Sequence, residues 1–248
     1  MCARYQLVLV AAGLFASACS GAPPAAGGST PAVTPAASAP APAAVAAPGA
    51  AKPRIVFLGD SLTAGLGLEQ SQSFPALVGQ RLASEGYNFE IVNAGVSGDT
   101  SAGGLRRLDW SLDGDVKVLV VALGANDGLR GLAPAEMKKN LAAMLERAAS
   151  EGVTVVLAGM EAPPNFGAEY TRQFRSVYTD LAQQYRVRFI PFLLQGVAGN
   201  AALNQADGIH PNVRGAEMVA DLVLAELKPV LGRPSQVSKP QAPGPRPQ

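Results

Sequence analysis

Between residues 53 and 232, the run Val116-Lys117-Val118-Leu119-Val120-Val121-Ala122-Leu123 is the most hydrophobic stretch. It is rich in β-branched residues and too short for a typical helix, and it stops at Gly124-Ala125-Asn126-Asp127-Gly128. Only one of its eight residues is polar, so neither face is offered to water. That is the signature of a central strand buried on both sides, which in practice means a parallel sheet covered by helices.

The neighbouring segments obey the same logic. Ile55-Val56-Phe57-Leu58, Phe89-Glu90-Ile91-Val92, Val153-Thr154-Val155-Val156-Leu157 and Arg188-Phe189-Ile190 read as four further strands. Between them lie helical patterns. Phe74, Leu77, Val78 and Leu82 share one face of a helix that opens with Pro75 and ends by Gly86. Pro134 to Glu151 places Met137, Leu141, Met144, Leu145 and Ala148 in one apolar stripe, so these methionines read as core. Ala168 to Tyr185 turns Tyr170, Phe174, Val177, Tyr178 and Leu181 inward, and a last helix spans Val213 to Leu231. Strands alternating with helices predict an α/β domain with right-handed crossovers.

The two ends of the chain are of another kind. Residues 20–52 are almost entirely Ala, Pro, Gly, Ser and Thr, and residues 233–248 are Pro-rich, with three basic residues and no acid. Neither segment has enough apolar surface to offset its ordering entropy, so both read as disordered. What remains, residues 53–232, is the size of one domain and carries 15 Lys plus Arg against 19 Asp plus Glu. No basic stripe is visible, which argues against a nucleic-acid partner.

Residues 1–18 read as an export signal, with Arg4 ahead of an apolar run of twelve residues, Leu7 to Ala18. Ala16-Ser17-Ala18 before Cys19 fits simple signal cleavage. It also resembles a bacterial lipoprotein box in which Cys19 carries the lipid, although Ala16 stands where such boxes usually have Leu. The Ala/Pro tether that follows Cys19 favours the anchored form, because it would hold a domain away from a membrane. The expected location is the periplasm or outer membrane, with secretion as the alternative. The only cysteines are Cys2 and Cys19, and His210 is the only histidine, so the domain has no thiol nucleophile and no set of residues suited to a zinc site.

The chemistry is concentrated at the strand ends. Ser61 follows the first strand in Gly59-Asp60-Ser61-Leu62. Gly98 lies in Asn93-Ala94-Gly95-Val96-Ser97-Gly98-Asp99-Thr100-Ser101, after the second strand. Asn126 follows the third, and Asp207-Gly208-Ile209-His210-Pro211-Asn212 follows the fifth. In a parallel sheet these loops share one edge and can converge. A serine hydroxyl becomes a nucleophile when a base takes its proton, and imidazole suits that task near neutral pH. A carboxylate three residues before the histidine can orient the ring. The Ser61 and Gly98 amides and the Asn126 side chain would then stabilise a tetrahedral oxyanion. Taken singly, each residue also has a bland reading: Asp207 and Asn126-Asp127-Gly128 as turn formers, Gly98 as a positive-φ glycine, His210 as a solvated loop residue.

Together these four blocks resemble the GDSL, or SGNH, hydrolases, and within them the bacterial arylesterase, acyl-CoA thioesterase and lysophospholipase type. The closer match rests on Asn126-Asp127-Gly128-Leu129-Arg130-Gly131 and on Asn93 to Ser101. The resemblance implies a three-layer α/β/α, flavodoxin-like fold with five parallel strands. It implies Ser61, Asp207 and His210 as the catalytic residues and Ser61, Gly98 and Asn126 as oxyanion donors. The G-x-S-x-G elbow of α/β-hydrolases is absent, since Thr63 stands two residues after Ser61. No cofactor or metal is implied, and a monomer is expected.

Leu129, Leu132, Pro163, Pro164 and Phe166 are expected to line an acyl groove. No long insertion suggests a lid. Short- to medium-chain acyl or aryl esters, thioesters and lysophospholipids are the expected substrates, and cytosolic acyl-CoA would be out of reach of an exported enzyme. A carbohydrate O-acetylesterase on the same fold is the alternative, although sugar sites favour exposed aromatics and the chain has one tryptophan, Trp110. A catalytically silent surface lipoprotein is a third reading, which the intact Ser61, Asp207 and His210 argue against.

Overall fold

A computed structural model of the chain describes residues 52–232 and residue 234. The expectations for the export signal, for Cys19, for the tether up to residue 51 and for the tail from 235 onward lie outside the described residues.

Five parallel strands form one sheet: β1 (Arg54–Gly59), β2 (Glu90–Gly95), β3 (Val116–Ala122), β4 (Thr154–Ala158) and β5 (Arg188–Ile190), in the order β2-β1-β3-β4-β5. The longer helices are α2 (Phe74–Ser84), α6 (Pro134–Ser150), α7 (Ala168–Tyr185) and α8 (Val213–Leu231). Short helices α1 (Ser61–Ala64), α3 (Ser101–Arg106), α4 (Leu108–Ser111) and α5 (Ala125–Leu129) sit in the connections. The chain leaves β1 to one side for β2 and returns past it to β3. With right-handed crossovers that reversal places α2 and α8, which pack together, on one face, and α3, α6 and α7 on the other. The three-layer α/β/α architecture expected from the sequence is present.

The core is the sheet and the inward helix stripes. Ile55, Val56, Phe57 and Leu58 are buried to a residue, as are Leu119, Val120 and Val121, which is why neither run alternates with polar residues. Met137, Leu141, Met144, Leu145 and Ala148 are buried as one stripe of α6. Burial of this kind stabilises by roughly 1.5–3 kcal/mol for each large side chain.

Two boundaries differ from the sequence expectation for a physical reason. β2 runs on to Gly95, because Asn93, Ala94 and Gly95 pair in register with Phe57, Leu58 and Gly59. These small or polar residues look like loop, yet a Cβ on Gly95 would lie 2.2 Å from the Ala64 amide nitrogen, so bulk is excluded there. The Gly124-to-Gly128 segment, expected as a loop, forms most of α5, and Asp127 within it is buried.

Reversal of chain direction at β1 leaves a crevice above the carboxyl ends of β1 and β3, the position at which open α/β sheets hold ligands.

Candidate active site

Ser61 is placed by the turn that ends β1. Gly59 must be glycine, since a Cβ there would lie 1.9 Å from Thr63 Oγ1. Asp60 then caps α1, its Oδ1 accepting the Leu62 amide at 3.0 Å. The serine side chain emerges at the sheet's edge with Oγ 2.8 Å from His210 Nε2. On the other side of the ring, Nδ1 lies 2.7 Å from Asp207 Oδ2. A carboxylate accepts only, so the ring proton sits on Nδ1 and leaves Nε2 as the acceptor facing the serine hydroxyl.

The Asp207–His210 pair is preassembled by backbone. Asp207 Oδ1 accepts the amides of Ile209 (2.9 Å) and His210 (3.0 Å). Gly208 makes the turn possible with φ of 72°. The His210 ring and these amides hold the Asp207 carboxyl down at about 2. Asn212 closes the loop by capping α8, accepting the Gly215 amide at 3.1 Å. Gln205 anchors the loop to the opposite wall, donating Nε2 to the carbonyls of Leu66 (2.7 Å) and Pro211 (2.9 Å).

The remaining loops supply donors. Gly98 adopts φ of 83°, so its positive-φ role and its place beside the site coincide. Asn126 Nδ2 donates to the Asp99 carbonyl at 2.9 Å, and its contact with Asp60 Oδ2 is long, 3.4 Å. The Gly98 loop is bracketed from both sides. Arg107 donates Nε to Asp99 (2.6 Å), Nη1 to the Ala94 carbonyl (2.6 Å) and Nη2 to the Gly59 carbonyl (2.7 Å). Arg130 donates to the Gly98 carbonyl at 2.8 Å. Asp127 accepts from the Ser101 amide (2.7 Å) and hydroxyl (2.6 Å).

A groove of about 450 Å3 opens beside Ser61 and His210. Its apolar wall comprises Leu62, Leu129, Met160, Ala162, Pro163, Pro164, Phe192, Leu194, Ala198 and Ile209. Leu129, Pro163 and Pro164 thus lie where the sequence reading expected them. Leu132 and Phe166 do not line the groove. Phe166 packs on Tyr170, with ring centroids 5.2 Å apart, and Tyr170 donates its hydroxyl to the Leu132 carbonyl at 2.8 Å. The Leu132 and Phe166 side chains are both exposed. Asp60 forms part of the groove's polar end, and burial pushes its carboxyl up to about 6 against the pull of the Leu62 amide. Among the described residues, no three His, Cys, Asp or Glu side chains are grouped to hold a metal ion.

Ser61, Asp207 and His210 are therefore brought together, with Asn126 and the Gly98 loop beside them. Sequence reasoning missed Asp60, Arg107, Asp127 and Gln205 as parts of the site. Asp60 and Asp127 carried one advance signal, a carboxylate immediately beside Ser61 and Asn126; Arg107 and Gln205 carried none.

Residues 57–218 match the model of the GDSL-like Lipase/Acylhydrolase family. The chain belongs to that family. Among its GDSL relatives, Esterase TesA of Pseudomonas aeruginosa is 47% identical over 183 residues, covering 73% of this chain and 91% of the relative. The Escherichia coli K12 protein named Thioesterase 1/protease 1/lysophospholipase L1 is 34% identical over 187 residues, covering 75% and 88%. Of solved structures, the psychrotrophic esterase EstA from Pseudoalteromonas sp., inhibited by monoethylphosphonate, superposes with a TM-score of 0.69. It is 32% identical and covers 72% of this chain and 98% of its own.

Proposed function

We propose that this GDSL hydrolase cleaves short- to medium-chain acyl or aryl esters, thioesters or lysophospholipids through an acyl-enzyme on Ser61. The observation that carries the reading is the unbroken relay from Ser61 Oγ to His210 Nε2 at 2.8 Å and from Nδ1 to Asp207 at 2.7 Å. The names of the relatives, esterase and thioesterase/lysophospholipase, support the reaction class.

In this mechanism Ser61 Oγ attacks the acyl carbon while its proton passes to His210 Nε2. The negative charge that develops on the carbonyl oxygen is met by the Ser61 and Gly98 amides and by Asn126. Asn126 Nδ2 lies 3.4 Å from Asp60 Oδ2, a long contact, so that N–H is the one left to serve the oxyanion. Each such donor contributes about 10²–10³ in rate. The tetrahedral adduct expels the alcohol or thiol, which takes the proton from His210. Water, deprotonated by the same ring, then releases the acid and restores the serine. Asp207 remains ionised throughout, since its carboxyl titrates near 2.

An apolar groove of about 450 Å3 supports an acyl chain as its occupant. An acetyl group would leave most of it empty, which disfavours a carbohydrate deacetylase. The export-signal pattern, the cysteine at position 19 and the Ala/Pro tether support delivery to a bacterial envelope as a lipid-anchored protein.

The test is hydrolysis of p-nitrophenyl esters from acetate to palmitate by the protein and by its Ser61→Ala variant. Activity should fade for the longest chains and fall by at least ~10³ in the variant. Equal rates in the two proteins would remove Ser61 from the mechanism. Loss of membrane association in Cys19→Ala would support the anchor, and retention would count against it.

A further inference from the structure

The two oxyanion donors outside the nucleophile's own strand sit on loops whose spacing the sheet does not set. Gly98 follows β2 and Asn126 follows β3, yet β2 and β3 are not neighbours, because β1 lies between them. No ladder hydrogen bond joins the two, so something above the end of β1 has to tie one loop to the other.

We propose that Asp127 is the buried part of that tie, beneath the exposed Arg130–Gly98 bond: a positioning residue whose carboxylate sets the separation of the Gly98 and Asn126 donors. The inference rests on the ester-hydrolase reading above. Asp127 is 3% exposed, immediately follows Asn126, and spends both oxygens on Ser101, three residues past Gly98. Ser101 is itself fully buried. Asn140 of α6 donates to the Ser101 hydroxyl at 3.0 Å, so the serine's own proton is committed to Asp127. The two Asp127 bonds, at 2.7 and 2.6 Å, are short and charge-assisted, stronger and more directional than neutral ones. The Asn126 amide reaches the same loop one residue past Gly98, at the Asp99 carbonyl. A shift of Asp127 therefore moves a donor on each side of the reacting carbonyl. Misplacement of catalytic groups by about 1 Å costs on the order of 10² in rate.

Asp127→Asn halves the tie. Its oxygen still accepts the Ser101 amide, but its NH2 group meets a hydroxyl already accepting from Asn140, and the serine proton loses its acceptor. In the full chain this variant should lower kcat for p-nitrophenyl butyrate by ~30- to 100-fold with KM within about threefold. An alkyl trifluoromethyl ketone gives a second reading. Ser61 Oγ adds to its carbonyl carbon and passes its proton to His210, leaving a hemiketal oxyanion in the same pocket. Its Ki should rise by the same factor as kcat/KM falls. In an Asn126→Ala background, Asp127→Asn should cost less than about threefold further, because one of the two donors it spaces is gone.

Wild-type kcat and an unchanged ketone Ki in Asp127→Asn would overturn the proposal. So would an equal cost with and without Asn126, since that is the behaviour of a residue that only holds the fold. Where Asp127→Asn does not fold, Ser101→Ala decides: about a tenfold loss of kcat supports the tie, and wild-type kcat overturns it. Ser61→Ala run in parallel separates the two claims. Activity that survives in Ser61→Ala defeats the ester-hydrolase reading itself, whereas Ser61-dependent activity indifferent to Asp127 defeats only the positioning role.

Discussion

Gln205, in the loop that carries the histidine, donates its side-chain amide to the carbonyl of Leu66, five residues past the nucleophile, at 2.7 Å. It also covers Gly67, where a Cβ would lie 2.2 Å from Gln205 Oε1. The serine loop and the histidine loop come from strands at different positions in the sheet, and this one side chain bridges them. Gln205→Ala should lower kcat about tenfold by loosening the Ser61–His210 approach. Steady-state kinetics beside a thermal melt would check it. A loss of stability of about 1 kcal/mol with unchanged kcat would leave Gln205 as packing alone.

Thr63 Oγ1 is fully buried and finds no hydrogen-bond partner among the described residues. An unmatched hydroxyl costs desolvation without recompense, so Thr63→Val, which keeps the shape, should stabilise the domain by about 1 kcal/mol. A rise in melting temperature with activity intact is the expected result. A fall would show that the hydroxyl has a partner.

Asp60 gives stability a particular dependence on pH. Burial raises its carboxyl from an ordinary 3.8 to about 6, so the folded protein holds that proton more tightly than the unfolded chain does. Its contribution is therefore most favourable below 3.8 and is lost as the pH rises through 6. The full difference is on the order of 3 kcal/mol by linkage. Asp207 acts in the opposite sense: lowered to about 2, it supports the fold above its ordinary value of 3.8 and fails as the pH falls toward 2. Chemical denaturation of wild type and Asp60→Asn between pH 4 and 7 isolates the first effect. The difference in stability between the two proteins should change across that window and be flat above it, and a constant difference would refute the assignment.

Ala198 is exposed and lines the groove, so a larger side chain there has room to enter it without disturbing the core. Ala198→Phe should reduce kcat/KM for octanoate about tenfold relative to acetate. The ratio of the two rates is the measurement, and an unchanged ratio would place the acyl chain elsewhere.

Arg107 holds two strand-end carbonyls and Asp99 together in a largely buried setting, with its side chain 18% exposed. Lysine cannot reproduce a three-way fork. Arg107→Lys should cost about 2–3 kcal/mol of stability, discounted from the figure for a fully buried pair, with activity lost in parallel. Urea titration would read it, and a cost below 1 kcal/mol would sink the idea.

The elements legible in the sequence were those whose pattern is set by burial. α7 and α8 run over the residues expected, because an unbroken apolar stripe leaves few alternatives. The short helices α1, α3 and α5 carry glycine, serine, asparagine or aspartate and have no period to read. Their conformation comes from tertiary bonds such as those between Asp127 and Ser101. The same division applies to the site. Ser61 and the Asp207–His210 pair were legible because each stands at a strand end in a chemically pointed context. Asp127, Arg107 and Gln205 were not, because a polar loop residue looks solvated until its partner, distant in sequence, is known. Leu132 and Phe166 were expected in the groove for a related reason: both are apolar and near its lining residues in sequence, and only the fold shows that they lie outside that lining.

His210 enters from beyond the last strand, 149 positions after the serine it serves. Everything from β1 to β5 can be synthesised before the base exists, so a chain cut before residue 210 holds a hydroxyl with nothing to take its proton. Of the three groups in the relay, the proton acceptor is thus the last that the growing polypeptide acquires.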